Sequence, residues 1–245
     1  MIPKQTLDIS ILPNLLTQHQ QAFDTLAHLL IEENKHTNLT RITDPNQIRT
    51  RHFLDSLAAL PLLDKLVQKK SSLAVVDVGS GAGFPVLPLA IAQPDWRFTS
   101  IEATGKKVIF QKKVIAELGL KNITIIHARV EELAHEKLYR EQFDVAVARA
   151  VADLRVLAEL SLAFVKVGGR MLAFKGPDVE KELVEAQKTI PVLGGRLETV
   201  WRYTLPDTTD AFCLISIAKS APTPGKYPRS YSVLSKKSAG GMDKG

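Results

Sequence analysis

Apolar residues over roughly the first quarter of the chain recur with a helical period. In "LLTQHQQAFDTLAHLLIEENKHTNL", Leu15, Phe23, Leu26, Leu29 and Leu30 fall three and four residues apart and leave polar residues opposite, the stripe of an amphipathic helix. A second helical segment, "PNQIRTRHFLDSLAALPLL", begins at Pro45, and Pro61 is expected to end or bend it. Residues 1–70 are therefore expected to form a helical N-terminal extension. After the charged break "DKLVQKKSS" the period changes: short runs such as "LAVVDVG", "RFTSIEA", "ITIIHA", "FDVAVARA" and "GRMLAFKG" alternate with helical runs such as "GKKVIFQKKVIAELG" and "VLAELSLAFV". Such alternation predicts an α/β fold, a Rossmann-like sheet with helices on both faces, over residues 71–219. The last two runs, "RLETVWRYTL" and "AFCLISIAK", have no helix between them and predict an antiparallel hairpin at the sheet edge. No internal repeat is visible.

Composition adds limits. With 245 residues and 45% hydrophobic content the chain can bury a full core. No apolar run approaches the ~20 residues that span a bilayer, and "MIPKQTLDIS" lacks the basic and apolar regions of a secretory signal, so a cytoplasmic protein without a membrane partner is expected. Cys213 is the single cysteine and lies in an apolar run, so neither a disulfide framework nor a cysteine metal site is expected. The net charge of +6 gathers at the end: from Lys219 onward Lys219, Lys226, Arg229, Lys236, Lys237 and Lys244 face one acid, Asp243. Rich in Pro, Gly and Ser, residues 220–245 read as a basic, flexible tail, either merely solvated or an arm for nucleic-acid phosphates.

The candidate chemistry sits where the first strand of the α/β region ends. "VVDVGSGAGFPVLPLA" places a glycine turn, Gly79-Ser80-Gly81-Ala82-Gly83, between strand and helix, as a nucleotide-binding loop requires. The dinucleotide fingerprint wants a glycine where this chain has Phe84. Asp77 beside the turn would repel a pyrophosphate but suits a ligand carrying an ammonium and a sulfonium, as S-adenosylmethionine does. Glu102, about twenty residues on, can accept hydrogen bonds from both ribose hydroxyls. Val130 and Glu131 come to the rim after the next strand, where they can read an adenine edge. "ARAVADL" makes Arg149 the side chain nearest the methyl group. No Asn/Asp-Pro-Pro-aromatic stretch is present to hold an exocyclic amine, and Cys213 lies in a strand pattern far from the loop, which leaves an acceptor atom with a lone pair and no proton to lose, such as guanine N7.

These residues resemble the RsmG (GidB) family of 16S ribosomal RNA guanine-N7 methyltransferases. The resemblance rests on "NLTRI" (Asn38–Ile42), "RHFLDSL" (Arg51–Leu57), "DVGSGAGFPVLPLAI", "ARVEEL", "ARAVADL" and "AFKG" (Ala173–Gly176). It implies a class I S-adenosylmethionine-dependent methyltransferase sheet, with Gly79, Phe84, Val130, Glu131 and Arg149 at the cofactor and Glu102 and Thr104 beside its ribose. It also implies a target in the decoding-region loop of small-subunit RNA, naked or within the subunit or its precursor. This chain has Glu102-Ala103-Thr104 where many members have an acidic-Ser stretch. His52, Asp55 and Ser56 share one helix; the resemblance puts that helix over the pocket, with His52 and Asp55 toward the substrate, and Lys175 against RNA phosphate. Two other readings stay open at this point: a nicotinamide-dependent oxidoreductase, and a non-catalytic RNA-binding or ribosome-assembly factor.

Overall fold

In a computed structural model, which describes residues 2–67, 72–149, 152–206, 208–230 and 232–234, the alternating runs become one eight-stranded sheet. Its strands are β1 (Lys4–Thr6), β2 (Ala74–Val78), β3 (Arg97–Glu102), β4 (Ile123–His127), β5 (Phe143–Arg149), β6 (Val165–Lys175), β7 (Gly195–Thr204) and β8 (Ala211–Lys219). Their spatial order is β1-β7-β8-β6-β5-β2-β3-β4. Strands β2 to β6 pair in parallel, while β8 lies antiparallel between β6 and β7. The chain runs outward from β2 to β4 and then returns to lay β5 on the other side of β2. The order reverses there, so the loops after β2 and β5 diverge and leave a crevice beyond the strands' carboxyl ends.

Both faces of the sheet are covered, as the near-continuous apolar strands require. In β2, Val75 faces one core and Val76 and Val78 the other, following the two-residue period. The second core is closed by helices Leu154–Leu162 and Glu180–Thr189. The first is shared by helices Val86–Ala92 and Gly105–Leu118 and by the N-terminal extension. The extension's helix Gln20–Thr37 buries Phe23, Leu26 and Leu30 of the predicted stripe and leaves Leu15, in the preceding helix Leu12–Gln18, and Leu29 half-buried. A file of aromatic rings joins it to the glycine turn: Phe23 to Phe53 with centroids 5.1 Å apart, then Phe53 to Phe84 at 6.2 Å.

The helical stretch after Asp44 comes in three contiguous pieces, Pro45–Gln47, Ile48–Leu54 and Asp55–Leu57, the middle one π-helical. Asp44 caps it by accepting from the Gln47 N–H at 2.9 Å. The wider i→i+5 turn is a form that recurs beside functional sites. Pro61 does not end this stretch. It sits at the second position of a new helix, Leu60–Val67, where its missing N–H costs no hydrogen bond.

Two more expectations change. The hairpin β7–β8 does not end the sheet, because β1 adds in parallel outside β7, with Lys4 level with Val200. The Val200 N–H donates to the Pro3 carbonyl at 2.9 Å and the Leu7 N–H to the Arg202 carbonyl at 2.8 Å. The basic tail is tied down over its first part. Arg140 donates to the carbonyls of Thr223, Tyr227 and Pro224, and Arg229 pairs with the buried Glu159 through two N–H···O bonds of 2.9 and 2.7 Å. Arg229 is thus committed within the fold. Lys236, Lys237, Lys244 and residues 68–71 of the charged break lie outside the described residues.

Lys219 anchors this docking. Its buried ammonium donates to the Leu162 carbonyl at 2.6 Å and to Thr223 Oγ1, and lies 3.0 Å from Glu141, while burial lowers its pKa. Lys219→Met should cost about 1–3 kcal/mol, since it leaves a buried carbonyl and hydroxyl short of a donor and takes the ammonium from Glu141, which keeps only the Thr223 N–H. Urea denaturation measures this, and a variant as stable as the parent would remove the anchoring role.

Candidate functional site

At the crevice, Val78 gives way to the turn Gly79-Ser80-Gly81-Ala82-Gly83, with φ of 70° at Gly79, 61° at Gly81 and 91° at Gly83. The three glycines share the left-handed region but not the reason for lacking a side chain. A Cβ on Gly81 would meet nothing nearer than Lys107 Nζ at 4.0 Å, so it would project into the cleft. A Cβ on Gly83 would lie 2.3 Å from Leu87 Cδ1, inside the core. Gly83, expected among the cofactor residues, therefore serves packing of the turn on its helix and does not line the cleft.

Four of the turn's five amides are spent on the protein, with those of Phe84 and Val86 beyond it. Those of Gly79 and Ser80 donate to the Ile101 carbonyl, those of Gly83 and Phe84 to the Ser80 carbonyl, that of Gly81 to Glu102 Oε2 at 2.8 Å and that of Val86 to Asp77 Oδ2 at 3.1 Å. A pyrophosphate needs such amides free, because they supply the donors at a helix N-terminus. The arrangement disfavours a dinucleotide and leaves a loop that offers bare backbone and acidic oxygens. Beneath it, residues that the sequence did not single out hold its shape. Ser80 Oγ and Ser100 Oγ lie 2.6 Å apart, and the fully buried Gln111 donates to Ser80 Oγ at 2.8 Å and to the Gly81 carbonyl at 2.7 Å.

The cleft above the loop has a volume of about 500 Å³. Its lining includes Gly79, Gly81, Glu102, Thr104, Val130 and Glu131, the cations Lys107 and Arg129, and Leu39, Thr40, His52, Phe84 and Arg149. Glu102 ends β3 with Oε2 on Gly81 and Oε1 accepting from the Thr104 N–H at 2.8 Å, so each oxygen keeps a second lone pair. Asp77, expected to face the ligand, lies fully buried under the loop and off the cleft wall. Burial pushes its pKa up to about 7, against the opposing pull of the Val86 N–H and Arg149, and Oδ1 has no hydrogen-bond partner among the described residues.

The N-terminal extension roofs the cleft and meets β5 at Arg149. The guanidinium donates to Asp55 Oδ2 at 3.0 Å, to the Arg51 carbonyl at 3.2 Å and to His52 Nδ1 at 3.3 Å, and lies 5.3 Å from the Phe84 ring. Asp55 Oδ1 accepts a 2.6 Å bond from the hydroxyl of Tyr203, a residue of β7 to which nothing in the sequence pointed. The His52 ring stacks on Phe84 with centroids 4.6 Å apart, and burial, aided by the charge of Arg149, lowers its pKa to about 3. His52 is therefore neutral. Asp55, expected near the substrate, stands behind Arg149 and off the cleft wall.

Lys175 is also elsewhere. Its ammonium donates to the Ala152 carbonyl at 2.6 Å and pairs with Glu182 at 2.7 Å, with 9% of its side chain exposed, so it stitches β6 to helix Glu180–Thr189 and leaves no charge for a phosphate. A larger cavity of about 860 Å³, lined by Lys65, Lys166, Arg170 and Trp201, opens at the opposite end of the strands and holds none of the residues predicted for the site. The cleft at the carboxyl ends is where sheets of this topology take ligands.

Comparison with known proteins gives a family and a fold. The family model described as GidB, rRNA small subunit methyltransferase G, matches residues 19–207. The chain is 43% identical over 220 residues to ribosomal RNA small subunit methyltransferase G of Lactobacillus johnsonii, covering 90% of this chain and 91% of that protein. It is 42% identical over 223 residues to the protein of that name from Desulforamulus reducens, covering 91% of each. Among solved structures, a variant of the 16S rRNA (adenine(1408)-N(1))-methyltransferase of Catenulisporales acidiphilia, solved with its cosubstrate SAM, superposes with a TM-score of 0.52. At 16% identity, covering 65% of this chain and 91% of that one, it shows the shared fold. Among the described residues no helix is long and apolar enough to cross a membrane, and no group of three or more His, Cys, Asp or Glu stands together as a metal site.

Two outcomes follow from the geometry. Gly81→Val should abolish cofactor binding with only a strain cost of about 1–2 kcal/mol, whereas Gly83→Ala should lower the melting temperature more, through its clash with Leu87. Calorimetric titration and thermal melts separate the two, and equal melts would refute the distinction.

The second concerns pH. The unfolded chain protonates His52 near 6.5 while the folded chain resists until about 3, so its contribution to stability is lost as pH falls between those values. Asp77 acts oppositely: the folded chain keeps a proton to about 7 that the unfolded one releases near 3.8, so stability is lost as pH rises through that window. Relative to the parent, Asp77→Asn should gain stability as pH rises from about 4 to 6.5, by up to ~1.4 kcal/mol per pH unit. His52→Gln should gain it as pH falls. Urea titrations at a series of pH values test both, and curves parallel to the parent would overturn the assignments.

Proposed function

The chain belongs to the GidB family, the rRNA small subunit methyltransferase G proteins, and on that premise we propose that it transfers the methyl group of S-adenosylmethionine to N7 of a guanosine. The base lies in the decoding-region loop of 16S ribosomal RNA, within the small ribosomal subunit or its precursor, in the cytoplasm. The observation that carries the cofactor reading is the acidic, amide-poor loop. Glu102 keeps a lone pair on each oxygen for a pair of hydroxyls, Val130 and Glu131 in the cleft wall would read the adenine edge, and most of the turn amides that would cradle a pyrophosphate are already engaged. A cationic nucleoside fits these groups.

When bound, S-adenosylmethionine supplies an electrophilic methyl group on sulfur. The acceptor atom needs a lone pair and no base, and the roof matches that demand. His52, the imidazole a proton-abstracting mechanism would use, is neutral and has both ring nitrogens engaged, Nδ1 by Arg149 and Nε2 by Thr40. Catalysis then rests on holding the base in near-attack position and excluding water. Arg149 does this by geometry, since its planar fork clamps Asp55, the Arg51 carbonyl and His52 to the end of β5.

A strain lacking the gene should lose N7-methylguanosine from 16S RNA, mapped by chemical cleavage at the modified base. The parental gene should restore it. Arg149→Lys and Arg149→Ala should each lose at least about tenfold in single-turnover rate on small subunits, ~1.4 kcal/mol of transition-state stabilisation. A mark that persists in the deletion strain would refute the target, and a fully active lysine variant would refute the clamp.

A further inference from the structure

The segment "NLTRI" enters the site through Thr40, whose hydroxyl has been stripped of its usual ambivalence. A threonine hydroxyl ordinarily donates one hydrogen bond and accepts two, rotating to suit its partner. Here the guanidinium of Arg149, which can only donate, contacts His52 Nδ1 at 3.3 Å. Nδ1 must accept, so the ring proton of the neutral imidazole sits on Nε2. That nitrogen is 2.8 Å from Thr40 Oγ1 and donates to it. The Ile42 N–H donates to the same oxygen at 3.1 Å. Both lone pairs are occupied and only the O–H proton is left, with no acceptor for it among the described residues. Thr40 is half-buried in the cleft wall beside His52, Phe84 and Arg149. Its backbone cannot drift, because Asn34 accepts from the Thr40 N–H and donates to the Thr40 carbonyl, both at 2.9 Å.

We propose that Thr40 is a specificity-determining residue, an obligate hydrogen-bond donor that reads the 6-oxo group next to the reacting N7 of the target purine. Guanine presents two acceptors side by side on that edge, N7 and O6, whereas adenine replaces O6 by an amino donor. A free threonine would turn its oxygen toward the amino group and accept. This one has no lone pair left to offer, so a 6-amino purine meets donor against donor. A site built around one fixed hydrogen bond rejects analogues lacking the partner far more strongly than a pocket of matching shape alone. Direction is passed along the chain Asp55, Arg149, His52, Thr40, and His52 acts as the positioning residue that fixes the polarity of Thr40.

The inference rests on the guanine-N7 reading and is tested separately from it. Small subunits assembled with RNA carrying guanosine, 2-aminopurine riboside or 2,6-diaminopurine riboside at the target position serve as substrates, and kcat/KM is measured for each. All three keep N7; the second lacks the 6-oxo group and the third carries an amino group there. Thr40→Val should lose at least tenfold on guanosine and no more than twofold on 2-aminopurine, with S-adenosylmethionine affinity unchanged. Thr40→Ser should restore the guanosine rate. His52→Phe keeps a ring on Phe84 but frees a lone pair on Thr40, so its preference for guanosine over 2,6-diaminopurine should fall at least tenfold. Equal losses on all three substrates, or no loss with Thr40→Val, would overturn the proposal. If Thr40→Val fails to fold, the His52→Phe ratio decides, and an unchanged ratio overturns it. Parental enzyme that leaves guanosine N7 unmethylated would instead remove the underlying reading.

Discussion

The contact between Arg149 and Asp55 is the one on which the site depends. The two side chains meet at 3.0 Å with 14% and 9% of their surfaces exposed, and they belong to distant parts of the chain, the end of a central strand and a helix of the extension. A buried ion pair gives little net stability unless its other polar atoms are also satisfied. Here they are. Tyr203 takes the second carboxylate oxygen, and the Arg51 carbonyl and His52 take guanidinium protons. The pair thereby ties β5, β7 and the roof into one polar joint, and removing either partner would leave the other charged and buried. Phe84, lying against both His52 and Arg149, seals that joint with an apolar plane.

Which parts of this were legible in the sequence follows from how far each signal reaches along the chain. The alternation of runs announced the sheet because burial on two faces imposes a local pattern. The glycine turn announced the cleft because positive φ restricts residue type locally. Strand β1 left no mark: "KQT" is exposed throughout, and only its backbone pairing with Val200 to Arg202 makes it a strand. Gln111, a polar residue in a helical run, lies fully buried under the loop. Asp55 and Tyr203 find each other across 148 positions, and Lys175 meets Glu182 only because a turn folds the next helix back on β6, so the run around each residue does not distinguish a ligand contact from an internal tie. Asp77 and Gly83 lie in the right motif, but neighbouring positions of a tight turn point to opposite sides, and these two point into the core.

The spent amides of the turn explain how one strand–turn–helix unit separates ligand classes. A loop that binds phosphate must leave its N–H groups unsatisfied until the ligand comes. A loop that binds a cation can satisfy them beforehand, and Glu102 and Asp77 do so from either side. The two acids face different surroundings. Glu102 lies at the cleft and keeps lone pairs for a ligand, whereas Asp77 sits deep enough that its carboxyl holds a proton to about 7.

The pairing of β1 with β7 also bears on the order in which the molecule can be made. Lys4 lies level with Val200, so the first strand emerges 196 positions before its partner. At ordinary elongation speeds of about 5–20 residues per second, that is a wait of ~10–40 s. Tyr203, which completes the joint at Asp55, arrives on the same late strand. During translation the helices of the extension can form on their own apolar stripe, but the edge of the sheet and the roof of the cleft close together, only once β7 has emerged. The nascent enzyme is therefore without a finished site until the strand that carries Tyr203 has left the ribosome.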